Sequence, residues 1–325
     1  MGTPVWFGLY LRQRRYEQYL NDQGNSIMKT ILKWIGILLG LLVGILVLTA
    51  AAVFLITNAR INKTYDLALE EIAVPTSAEA IAEGEHIATI RACNGCHGPD
   101  MGGSTFIKDP AIGYYYPPNL TTGQGGRLSL YSDDQIARAI RHGVGYDNKS
   151  LLLMPAHEFN VLSDEDVGAI IAYLRARPPV DREMPESKVG PLARVLLLTG
   201  EFPLLPAELV DHDAPRPPAP EPGITAEYGR YLAVICQGCH RPDFAGGAVP
   251  GAGPDAPPAL NLTPGGELIG WTEAEFIATI RTGVTPGGRE LDPLMPAELF
   301  AKMTDDELKA VWLYLQSLPA LEQGE

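Results

Sequence analysis

Cysteine is scarce in this 325-residue chain, which has four. So few thiols cannot staple a sequence of this length as a disulfide framework. Basic charge is also short: 25 Lys and Arg face 39 Asp and Glu, a formal −14. An acidic surface argues against nucleic acid and against anionic headgroups; it suits basic partners, or simple solubility. Runs of alternating apolar and polar residues are missing, which speaks for helices rather than sheets. One stretch, Trp34 to Thr57, lacks charge altogether.

That uncharged run is dominated by Leu, Ile, Val, Gly and Ala and exceeds the ~20 residues a helix needs to cross a bilayer. A cleavable signal peptide is the competing reading, with Ala50-Ala51-Ala52 as its cleavage site. The run continues through Val53-Phe54-Leu55-Ile56, however, beyond the roughly 7–15 apolar residues of a signal peptide. The length therefore predicts an uncleaved anchor. Arg12, Arg14, Arg15, Lys29 and Lys33 precede it, and only Arg60 and Lys63 follow closely. This bias predicts a cytoplasmic N-terminus and a bulk on the outer, periplasmic side of a bacterial inner membrane. Met28-Lys29-Thr30 reads like a natural start, which leaves residues 1–27 without an assigned function.

All four cysteines fall in two copies of one motif, Cys93-Asn94-Gly95-Cys96-His97 and Cys236-Gln237-Gly238-Cys239-His240. Two thiols three positions apart, followed at once by histidine, form the attachment site of a c-type haem. Each thiol closes a thioether to one vinyl group, and the turn carries the histidine under the ring to bind iron. A zinc knuckle or a CxxC redox pair are the alternatives. The distance between the motifs, each in its own repeat, speaks against zinc; the histidine after each, with no βαβ pattern around it, speaks against a redox pair. The expected cofactors are two covalently bound haem c groups.

The motifs belong to a duplication. Asn119-Leu120-Thr121 matches Asn261-Leu262-Thr263, Ala139 to Val144 matches Thr279 to Val284, Met154-Pro155-Ala156 matches Met295-Pro296-Ala297, and Leu162 to Pro178 matches Met303 to Pro319. Capping boxes at Ser132, Thr272 and Thr304, and a variant at Ser163, start helices with apolar faces: Val167, Ile170, Ile171 and Leu174 in one copy, Leu308, Val311, Trp312 and Leu315 in the other. A further helical stretch, Ala78 to Ala92, leads into Cys93. The expected organisation is a cytoplasmic segment (1–33), an anchor (34–57), a polar tether (58–78), a first domain (79–179), a connector (180–223) and a second domain (224–325). Leu192, Val195 and Leu196 of the connector fall at helical spacing, as a face packed on one domain. Pro215 to Pro222 reads as extended.

A haem iron held by one histidine takes a sixth ligand or stays open. Met154 and Met295 stand at matching distances after His97 and His240, each before a proline that keeps it off a helix. Two methionines in register with two motifs favour ligation over core filling. Met101 aligns with Phe244 and Met303 with Leu162, so neither is a shared ligand; nor are His142 and His157, which read as surface residues.

Taken together, CxxCH, Asn-Leu-Thr, Ile-Arg-x-Gly-Val, Met-Pro and a terminal helix with Tyr-Leu resemble class I cytochrome c domains, as in the cytochrome subunits of bacterial membrane dehydrogenases and related dihaem carriers. The resemblance covers about residues 79–179 and 224–320. It implies an all-α fold: one N-terminal transmembrane helix followed by two tandem class I cytochrome c domains. It also implies Cys93, Cys96, His97 and Met154 at one haem, and Cys236, Cys239, His240 and Met295 at the other. A backbone carbonyl near Pro117-Pro118 and Pro257-Pro258 is expected to fix each histidine. Two motifs stand where several dehydrogenase subunits carry three. Asn119 and Asn261 fit the N-x-T glycosylation pattern, but in this repeat they read as loop or haem-propionate contacts.

The function expected is electron transfer without catalytic residues, from a dehydrogenase or quinol-oxidising complex to an oxidase or another cytochrome. His/Met ligation suits a high potential. A dihaem enzyme is the rival. A peroxidase-like protein needs one open haem, and a thiosulfate-oxidising type can use a cysteine ligand, of which none is left over. A subunit that docks a soluble enzyme to the membrane is compatible with electron transfer.

Overall fold

The computed structural model describes residues 5–215, 218–253 and 255–324; Arg216 and Pro217 of the proline-rich stretch, and the first four residues, lie outside them. The first element, α1 (Val5–Ile61), is one continuous helix that begins well before the uncharged run and continues past it. No proline occurs between Pro4 and Pro75 to break it. It is long and apolar enough to cross a membrane. The chain divides into that helix as far as Ile56 and a second unit from Thr57 onward.

The second unit is mainly helical and shows the duplication. The first copy holds α2 (Ala78–Ile90), α3 (Cys93–His97), α4 (Asp133–His142), α5 (Ala156–Phe159) and α6 (Asp164–Ala176). After α7 (Pro191–Thr199), the second copy holds α8 (Ala226–Ala233), α9 (Gln237–His240), α10 (Glu273–Thr282), α11 (Ala297–Phe300) and α12 (Asp305–Ser317). Ser132, Thr272 and Thr304 form reciprocal capping boxes, and Ser163 accepts from the Asp166 amide. The helix leading into Cys93 stops at Ile90, because Ala92 turns left-handed (φ 58°) and re-aims the chain into the motif.

In each copy the opening helix crosses the closing one at a glycine. A β-carbon on Gly84 would lie 1.9 Å from the Ala169 carbonyl oxygen of α6; one on Gly229 would lie 1.9 Å from that of Ala310 in α12. The apolar faces read from sequence form the two cores, Val167 and Ile171 fully buried in one, Leu308 and Leu315 in the other.

Four readings change. A small antiparallel sheet, β1 (Ile107–Asp109), β2 (Gly113–Tyr115) and β3 (Lys188–Val189), joins the first copy to the connector. Its hairpin closes because Asp109 Oδ1 accepts from the amides of Ala111 and Ile112, at 2.8 and 2.7 Å. The connector helix forms as expected, but it buries Ala193 and Leu197 against Tyr115 and Phe202 while Leu192 and Val195 are exposed. The tether is strapped down: Tyr65 and Ile72 are buried, and Glu70 takes a bond from Arg141 at 3.1 Å. His142 is buried, its Nδ1 2.9 Å from that of His212, and burial followed by the His212 charge lowers it to about 4.

The two copies dock reciprocally. His86 on α2 meets Glu307 on α12 at 2.8 Å, while Tyr231 on α8 donates to Asp166 on α6 at 2.5 Å. His86 and Tyr231 each stand two residues after the crossing glycine, and Glu307 and Asp166 are counterparts too. Arg91 donates to the carbonyls of Leu232 and Tyr231, and Ile90 of the first copy is buried in the second copy's core. Such exchange of equivalent contacts is what an approximate twofold axis produces.

Candidate functional site

Each motif forms a short helical turn. The thiols of Cys93, Cys96, Cys236 and Cys239 are free and partly covered. Burial pushes the Cys93 and Cys236 thiols up to about 12, so they stand as neutral groups against apolar walls. After each histidine the chain reverses sharply, through Gly98 (φ 79°) in one copy and Arg241 (φ 70°) in the other. The Gly103 amide closes that loop onto the His97 carbonyl at 2.8 Å, and Gly246 does the same to His240 at 3.1 Å.

The histidines are held alike. His97 Nδ1 lies 2.9 Å from the Pro118 carbonyl oxygen, and His240 Nδ1 lies 2.7 Å from that of Leu260. A carbonyl only accepts, so the proton sits on Nδ1 and the Nε2 lone pair is left for a metal. Burial lowers both rings below their ordinary range, against the pull of that bond, and keeps them neutral. The first carbonyl falls within the anticipated proline pair. The second falls two residues beyond its pair, because the shared position is the residue before Asn-Leu-Thr.

The methionines occupy matching turns. Ala156 N bonds the Met154 carbonyl and Ala297 N bonds that of Met295, both at 2.8 Å across a proline near φ −78°, ψ 57°. This inverse γ-turn fixes the chain and starts α5 and α11. Met154 and Cys93 border the first core, and Met295 and Cys236 border the second. In the second copy Cys236, Cys239, His240 and Met295 all line one largely apolar cavity, walled by Trp271 and Phe276. Met101 and Met303 are buried core residues, like their counterparts Phe244 and Leu162.

Asn119 and Asn261 are buried clasps. Asn119 donates to the Val180 carbonyl at 2.7 Å, and its Oδ1 accepts from the Thr121 amide and hydroxyl. Asn261 does the same with Leu321 and Thr263. Both side chains thus make the loop contacts expected of them, tying the loop to the segment after the closing helix.

The donor chemistry fits a covalently held haem in both copies: two unbonded thiols on one turn, an imidazole presenting Nε2, apolar surroundings and a thioether on a fixed turn. Residues 79–174 match the family described as cytochrome c oxidase, cbb3-type, subunit III, and residues 226–319 match cytochrome c. The fructose dehydrogenase cytochrome subunit of Gluconobacter japonicus is 26% identical, over 77% of this chain and 56% of its own length. The alcohol dehydrogenase (quinone) cytochrome c subunit of Gluconacetobacter polyoxogenes is 26% identical over 85% and 62%. A dihaem cytochrome c-type protein of Cereibacter sphaeroides is 26% identical over 74% and 86%. The chain thus spans somewhat over half the length of the two dehydrogenase subunits. With two family matches, each laid over its own CxxCH turn and carbonyl-held histidine, the chain carries two cytochrome c domains in tandem.

Proposed function

We propose that this protein is a membrane-anchored dihaem electron carrier, with Cys93, Cys96, His97 and Met154 at one haem and Cys236, Cys239, His240 and Met295 at the other. The observation that carries the reading is the matched construction of the two sites, down to the carbonyl behind each histidine and the γ-turn behind each methionine. When bound, each haem supplies a one-electron couple between Fe(II) and Fe(III). The protein's part is to attach, orient and shield. The four thiols would hold the haems covalently, the Pro118 and Leu260 carbonyls hold the imidazoles in the metal-binding tautomer, and Met154 and Met295 would each offer a thioether to the iron. Thioether ligation raises the potential over that of two histidines.

The helix around Trp34 to Thr57 anchors the domains, with the basic N-terminal flank in the cytoplasm and both haem domains on the periplasmic side. The donor is a dehydrogenase or quinol-oxidising complex, a reading supported by the names of the relatives, and the acceptor is an oxidase or another cytochrome. Replacing Met154 or Met295 by alanine tests the closed-site reading. Each variant should bind carbon monoxide at one haem when reduced and change one of two redox waves. A wild-type protein with a high-spin haem that binds carbon monoxide readily would favour an enzyme instead.

A further inference from the structure

The reciprocal docking places the helix after each methionine over the other copy's haem-attachment turn. In one direction the contact is apolar. A β-carbon on Gly95, inside Cys93–Cys96, would lie 3.1 Å from Leu299 Cδ1 of α11. In the other direction a carboxyl meets the turn. A β-carbon on Gly238, inside Cys236–Cys239, would lie 2.1 Å from Glu158 Oε1 of α5. Glu158 and Leu299 are counterparts in the repeat, each four residues after its methionine, so the duplicated sites differ here in charge.

Glu158 is a well-covered carboxyl, its side chain 12% exposed, with His157 Nε2 at 3.8 Å and Arg91, just past the end of α2 in the same copy, the nearby cation. Burial holds its titration up to about 7, against the Arg91 charge. The carboxyl thus stands against one attachment turn, and a leucine holds the matching place at the other. A negative charge in a poorly screened setting favours Fe(III) over Fe(II).

We infer that Glu158 is a positioning residue through which the first domain depresses the potential of the haem in the second, making the two duplicated sites unequal. The inference rests on the dihaem reading above. Its direction follows from sign alone: carboxylate lowers, leucine does not. It also gives the docking a use, because a potential difference between the haems sets the direction in which an electron settles.

The test is spectroelectrochemical titration of the intact, haem-loaded protein at pH 9, where a carboxyl that titrates near 7 is ionised. Wild type should give two waves. E158Q, which keeps size and shape, should raise one wave and leave the other in place. M295H, which exchanges thioether for imidazole, should lower that same wave and so identify it as the second domain's. L299E, read in protein of unchanged haem content, should lower the other. E158Q moving neither wave, both alike, or the one that M295H leaves untouched would overturn the inference. A protein without two waves would bring it down together with the dihaem reading.

Discussion

Asn119 shows how much one residue can organise. Its amide group joins the loop that carries the Pro118 carbonyl to the strand of chain at Val180 and Arg182, and it is fully buried. Replacing it by alanine leaves buried carbonyls and the Thr121 amide without partners, which should cost about 2 kcal/mol. The expected readout is a lower melting temperature of the haem-loaded protein, with the Asn261→Ala counterpart behaving alike and neither asparagine carrying a glycan. The Asn-Leu-Thr match was legible in sequence, but its task was not. A donor's partners sixty residues away leave no local pattern, and for the same reason the second histidine's carbonyl, Leu260, did not fall on the expected prolines.

At the scale of elements, starts were more legible than faces. Capping boxes are written in four consecutive residues, so Ser132, Thr272 and Thr304 announced their helices correctly. The connector helix is legible from its spacing but its buried side is not, since Ala193 packs inward and Leu192 and Val195 are exposed. The sheet is not legible in sequence because strands of two or three residues are too short to show alternation. The glycines at the helix crossings are the sharpest test at this scale. Gly84→Ala or Gly229→Ala sets a methyl against a carbonyl oxygen that belongs to helix backbone and cannot rotate away. Each should cost ~3 kcal/mol, seen as an earlier urea midpoint, and a neutral outcome for both would refute the close crossing.

The whole molecule is where sequence was least informative, because docking of one copy on another follows no periodicity. Only afterwards do His86 and Tyr231, or Glu158 and Leu299, read as related positions. The His86–Glu307 clasp carries a pH signature. The hydrogen bond to Glu307 raises His86 despite burial, and for Glu307 burial is outweighed by the bonds from His86 and the Thr304 amide, which lower it. A raised histidine stabilises fully below its unfolded value of about 6.5 and loses that contribution as pH rises through its folded value; a lowered carboxylate loses its own as pH falls through its folded value. The clasp should therefore contribute most between about pH 5 and 6.5. His86→Gln should cost about 1 kcal/mol there and little above pH 9, by chemical unfolding across pH. An undiminished difference at pH 9 would show that His86 acts by packing. Beneath all of this lies the claim that the two CxxCH turns each hold a haem covalently, since every cysteine of the chain belongs to one of them. A pyridine haemochrome assay after acid–acetone extraction tests it most directly. The account predicts two haems per chain, both retained by the protein; one haem per chain, or haem released into the solvent, would contradict it.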